Sequence, residues 1–205
     1  MKENIRTHIQ LNWKSYIIGI VASIVLGILL ISIASAPTKK EKVCIFLTCY
    51  HLDSSFNDYI TSITPSYLEI IEVNVKHKED TYYGTVIKGY RSHADIIIVP
   101  ESKLDYIITK DCLELSDDIV NTLTNNHYDY YQKDDKTIGL KVYSKDTKSG
   151  ILDGLVQFNK EDNPEDYYLF ININSIHLDE LNGSKYNGVI TILKEILDYE
   201  KESSI

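Results

Sequence analysis

His51 and Asp53 stand two residues apart in TCYHLDSS, and His177 and Asp179 repeat the spacing in NSIHLDEL. An imidazole and a carboxylate brought together can ligate a metal or exchange protons near neutral pH. If the two segments meet, the four groups make such a site; apart, they are polar residues at strand ends. Glu101 and Ser102 follow Pro100 at the end of HADIIIVPESKL. They can hydrogen-bond a polyol or a peptide, and they can equally cap a short helix. Tyr50 precedes His51 and adds an aromatic face with a polar tip. Ser175 lies near His177, but no G-x-S-x-G elbow surrounds it, so a serine hydrolase is not indicated. The nine glycines are scattered, and none forms a phosphate-binding loop. Cys44, Cys49 and Cys112 lack metal-ligand spacing. Cys44 and Cys49, an odd distance apart, face opposite sides of a strand and should not bond each other. Cys112 can pair with one of them, leaving an odd thiol, or all three read as small buried hydrophobes. No enzyme activity, metal or cofactor is expected. The candidate ligand-binding set is therefore Tyr50, His51, Asp53, Glu101, Ser102, Ser175 and His177.

Positioning these groups requires strands that deliver loops to a common place. VCIFLTCY, residues 43–50, and ADIIIVP, residues 94–100, are apolar on both faces, as strands buried in a parallel sheet are. YLEIIEVNVKH, residues 67–77, alternates in part. Between them lie helical patterns near residues 55–63 and 79–93, the first closed by Pro65. Strand, helix, strand, helix, strand, with short connections, predicts right-handed crossovers and a parallel sheet. Ligands of such sheets sit beyond the carboxyl ends of the strands. Later segments predict a short helix from Ser102, a helix capped by Ser116 and a hairpin around residues 133–136. A short helix in SGILDGLVQF, a strand in YYLFININ and a final helix in NGVITILKEILDYEKE follow. NGS at Asn182 reads as a turn, and DYEKESSI as a solvated tail.

Residues 16–36 carry no charge and are long enough to cross a bilayer. Trp13 and Tyr16 suit the interface, and Lys14 can snorkel. The apolar run exceeds that of a signal peptide, and Pro37 directly follows Ala36, so an uncleaved signal anchor is expected. Basic residues are nearly balanced across it: Lys2, Arg6 and Lys14 before, Lys39, Lys40 and Lys42 after. The short preceding tail favours an outside C-terminal domain. The expected division is a tail at 1–15, an anchor at 16–36, a linker at 37–42 and a domain at 43–200. The chain has 205 residues and a net charge of −9, with no basic block for phosphates. Nucleic acid is not an expected partner. Sixteen tyrosines against four phenylalanines suit either shallow grooves or a small core.

KVCIFLTCYHLD, DTYYGTVIKGYRSHADIIIVPESKL, KTIGLKVYS and EDYYLFININSIHLDELN together resemble pieces of bacterial extracellular solute-binding proteins, the tethered receptors of ABC importers. The resemblance covers most of residues 42–198. It implies that ADIIIVPES closes the first half of lobe one. It implies that residues 137–140 mark the crossing toward lobe two, and that YYLFININSIH is a late strand near the cleft. Too few residues follow the hairpin for a full second lobe. The expected fold is α/β: a transmembrane helix, then a single open, mostly parallel sheet with helices on both faces, equivalent to one periplasmic-binding-protein-like lobe. The expected function is weak binding of a small polar solute such as a sugar or peptide, or binding when a partner completes the cleft. The alternative is an interaction module facing an importer, another membrane protein or its own copy.

Overall fold

The computed structural model describes residues 2–124, 126–160, 162–178 and 187–199, with the side chains of the first helix from Trp13 onward. Asp179, Asn182 and residues 200–205 of the final tail lie outside the described residues. Two units divide the chain, at 1–38 and 39–205.

The first unit is one helix, α1 (Lys2–Ala34). Its stretch Trp13–Ala34 is long and apolar enough to cross a membrane. A helix with apolar side chains all round has no solvated face to offer water, which is the expected pattern for a lipid-facing span.

The second unit is built on strands whose two faces are both buried. β1 (Lys42–Thr48) sends Val43, Ile45 and Leu47 to one core and Cys44 and Phe46 to the other. β4 (Ile96–Pro100) divides likewise, with Ile96 and Ile98 against Ile97 and Val99. This is the period of two acting on a continuous apolar run. The remaining strands are β2 (His51–Leu52), β3 (Ile70–Lys76), β5 (Tyr130–Lys133), β6 (Lys136–Ser144), β7 (Ser149–Gly150), β8 (Val156–Gln157) and β9 (Tyr167–Ile171). Helices α2 (Phe56–Ser62), α4 (Asp117–Leu123) and α5 (Gly188–Leu197) cover the first core. α3 (Tyr83–Tyr90) and the 3₁₀ turn at Glu101–Tyr106 cover the second. Ser116 caps α4 by accepting from the Ile119 N–H at 3.3 Å.

The sheet order is β3-β1-β4-β9-β6-β5, with β7 on β6. β1 pairs in parallel with β3 and β4, as the helical crossovers require. β9 then runs antiparallel between β4 and β6, and β5 pairs antiparallel with β6. The sheet is therefore mixed: β3, β1, β4 and β6 share one direction, and β9 and β5 run against it. The β5–β6 hairpin turns at Asp134 and Asp135, whose φ angles are 53° and 58°. Positive φ at both positions is what a two-residue primed turn demands, and aspartate tolerates it.

SGILDGLVQF is not the helix expected of it. Leu152 and Gly154 have φ of 56° and 86°, outside the right-handed helical region. The segment forms the short strands β7 and β8 joined by turns. All three cysteines are buried and unbonded to one another, on the two sides that the odd spacing of Cys44 and Cys49 implies.

Candidate functional site

Two ends of the sheet compete for a site. At the carboxyl ends of β1 and β4, the loops bearing Tyr50, His51, Asp53, Glu101 and Ser102 emerge side by side, because those strands are parallel neighbours. The hollow between them is not open. The segment from β7 to β9 folds into it, burying Ile151, Leu152, Leu155, Val156 and Phe158. Tyr50 N–H donates to the Gln157 carbonyl and Asp53 N–H to the Leu155 carbonyl, each at 2.9 Å. Glu101 N–H donates to the Asp166 carbonyl, and Ser102 N–H to Glu165 Oε2, both at 2.9 Å. Lys78 Nζ meets Glu165 Oε1 at 2.5 Å. Asn159 donates to the Glu165 carbonyl and accepts from its N–H. These bonds hold the inserted segment across both loops.

The five residues at this end are exposed and take part in local contacts. Asp53 accepts from the Ser55 hydroxyl and N–H, which hold its carboxyl below the usual range. His51 pairs with Gln157 in the β2–β8 clip. Tyr50 packs edge-on to His77. Glu101 makes an ion pair with Lys145 at 3.0 Å. A shallow hollow of about 460 Å³ remains beside His51 and Asp53 and does not reach Tyr50, Glu101 or Ser102.

Ser175 and His177 are not in this crevice. β9 is antiparallel to β4, with Ile171 opposite Ile96, so the chain leaving β9 emerges at the amino ends of β1 and β4. Five strand residues, roughly 17 Å, separate the two ends. The expected seven-residue set is thus split by the direction of one strand. The expected pairing of His51–Asp53 with His177 cannot form.

At the amino end lies a larger cavity of about 660 Å³, under the last turn of α3. Lys42, Cys44, Glu72, Tyr90, Asp95, Asn172 and Ser175 are among the residues lining it. Asp95 precedes β4 and is buried. Its Oδ2 accepts from the Cys44 N–H at 2.8 Å, and its Oδ1 from the Ser175 hydroxyl at 2.6 Å. The Ser175 oxygen in turn accepts from the His177 N–H at 3.1 Å. His177 Nε2 lies 2.9 Å from the Lys39 carbonyl, so that nitrogen carries the proton. Asn172 donates to the Ala94 carbonyl at 2.9 Å. The turn after β9 is thereby fixed to the beginnings of β1 and β4.

Across the cavity wall runs a second polar chain. Lys42 Nζ donates to Glu72 Oε2 at 2.6 Å, Asn74 to Glu72 Oε1 at 2.8 Å, and the Tyr90 hydroxyl to Asn74 Oδ1 at 2.6 Å. The bonds from Asn74 and Lys42 hold the Glu72 carboxyl below its ordinary range, and Glu72 raises Lys42. Burial, then the charges of Glu72 and Asp95, push the Cys44 thiol up to about 11. It stays protonated at neutral pH and is no nucleophile. The wall offers an ammonium, carboxylates, a carboxamide and a phenol, a set suited to hydrogen-bonding a polar molecule. Among the described residues, no group of three or more His, Cys, Asp or Glu is placed to hold a metal.

Of the expected residues, only Ser175 lines this cavity. The missed ones had a signal: Glu72 and Asn74, with Lys76, are the polar positions of IIEVNVK, on the face that Cys44 and Phe46 share. Attention to carboxyl ends alone passes over them. Compared with known proteins, the chain matches no family model, no curated protein and no solved structure.

Proposed function

We propose that the chain is a membrane-anchored, extracytoplasmic binding domain of the solute-receptor kind, without catalysis. It holds a small polar solute, such as a sugar or short peptide, in the cavity under α3. One observation carries this reading: polar side chains from β1, β3, α3 and the turn after β9 converge on a hollow of about 660 Å³. Small-molecule sites commonly have volumes of about 300–1,000 Å³, with few, well-placed polar groups. The sheet supports one lobe, so the ligand is covered by a single domain and held weakly unless a partner closes over it. An importer or another copy of the chain fits that role.

The test is thermal unfolding of the full chain in mild detergent, with sugars, amino acids and short peptides added, and oligomeric state measured alongside. A solute at about one hundred times its Kd adds about 2.7 kcal/mol. That raises Tm by roughly 5–10 °C for a domain of this size. Tyr90→Phe and Glu72→Gln are expected to reduce the rise. No rise with any solute, together with a stable dimer, favours the interaction module instead.

A further inference from the structure

Four large apolar side chains remain exposed at the amino end of the sheet. Tyr67 is 44% exposed, Ile70 43%, Ile173 38% and Ile176 39%. Among the described residues from 39 onward, these include every exposed isoleucine; the other exposed large apolar residues are Tyr50, Tyr82 and Tyr130. The four flank one stretch of backbone. The Lys39 carbonyl is held by the His177 ring, next to Ile176. The Glu41 carbonyl accepts from the N–H groups of Glu69 and Ile70 at 2.8 and 3.2 Å. Residues 39–41 therefore run between the turn bearing Ile173 and Ile176 and the turn bearing Tyr67 and Ile70. β3 and β9 are three strand spacings apart, so the apolar side chains are spread over roughly 14 Å.

This is also the end to which the tether is joined. Residues 35–41 connect Ala34, the last residue of the apolar span, to β1. Fully extended, that tether reaches at most ~25 Å.

We propose that the turns at residues 67–70 and 173–176 dock on the bilayer that holds α1, placing Tyr67, Ile70, Ile173 and Ile176 at the boundary between headgroups and acyl chains. Isoleucine and tyrosine suit that depth: the first gains from leaving water, and the Tyr67 hydroxyl is already satisfied, donating to Asn187 Oδ1 at 2.6 Å. Lys39 and Lys40 are exposed beside them, but so are Glu41 and Glu69. The local charges offset one another, so the docking rests on apolar insertion and not on attraction to anionic lipid. Docking depends on α1 spanning the bilayer; Ile176 and Lys39 also line the cavity of about 660 Å³, so the docked face borders the proposed solute site.

The test uses the full chain with Trp13→Phe, reconstituted into phosphatidylcholine vesicles with or without phosphatidylglycerol. One tryptophan is placed by Ile173→Trp, Ile176→Trp or, as reference, Tyr82→Trp. Tyr82 is 75% exposed just before α3, near the opposite end of the sheet. The Ile173→Trp and Ile176→Trp indoles are expected to be quenched by brominated lipid and shielded several-fold from acrylamide, equally in both lipid mixtures. The Tyr82→Trp indole is expected to be open to acrylamide. Should either isoleucine variant lose its cooperative thermal transition, Tyr67→Trp takes its place. Indoles at the amino end as wet as the reference would overturn the docking alone. Failure of the chain to float with vesicles would remove the anchor and the docking with it.

Discussion

Asp95 and Glu165 hold the two ends of the sheet, and each gives a prediction at the scale of one carboxylate. Asp95 satisfies the buried Cys44 N–H and the Ser175 hydroxyl together. Asp95→Ala leaves both donors without an acceptor, each costing about 1–3 kcal/mol. A loss of about 3 kcal/mol is expected in urea unfolding, and a loss below about 1 kcal/mol would contradict the role. Glu165 is mostly buried. Burial raises its pKa, but Lys78 and Ser102 outweigh burial and hold the carboxyl below its usual range. A depressed carboxylate stabilises the fold at pH values above its unfolded pKa. That contribution is lost as pH falls below about 4.3 toward the folded value. Wild-type stability is expected to fall more steeply than that of Glu165→Gln in this acid window, measured by Tm against pH. Equal slopes would show that the ion pair does not hold the inserted segment. Neither carboxylate's partner was legible in the sequence, because each lies far along the chain. Ser175 and Asp95 are 80 residues apart.

Among elements, those legible from the sequence are the ones whose local pattern leaves one solution. β1 and β4 are apolar on both faces and must be central. The turn at Asp134–Asp135 needed only a short polar break between strands. The direction of β9 was not legible, because no crossover helix joins β6 to β9 to impose a parallel return. That direction carries Ser175 and His177 to the other end of the domain. The segment from β7 to β8 misled for a different reason: its apolar spacing fits a helix, but the backbone turns at Leu152 and Gly154. The same segment depends on a close approach at Gly150. A Cβ there would lie 2.4 Å from the Val142 carbonyl oxygen, a backbone atom fixed in β6. Gly150→Ala is expected to destabilise by about 1–3 kcal/mol, as overpacking does. Near-neutral behaviour in chemical denaturation would mean that β7 is not held as described.

At the scale of the whole molecule, the proposed binding hollow lies at the amino end of the parallel strands of the second unit, while the opposite crevice is filled by its own chain. The anchoring side is open to a direct check. The native thiols are buried, and burial drives Cys49 and Cys112 up to about 12, so they react little with maleimides. Glu79 is exposed. Glu79→Cys is expected to label with a membrane-impermeant maleimide in intact cells; labelling only after lysis would place the domain on the inner side. The position of the hollow is tested at Gly89, which lines it and where an added Cβ would meet nothing within 4 Å. A tryptophan there fills space that a solute needs, whereas Asp53→Ala alters only the opposite crevice. The decisive measurement is the solute-induced rise in Tm for the full chain, compared with its Gly89→Trp and Asp53→Ala variants. Gly89→Trp is expected to abolish the rise and Asp53→Ala to leave it intact. A rise that survives Gly89→Trp and disappears in Asp53→Ala would contradict a solute site in this hollow.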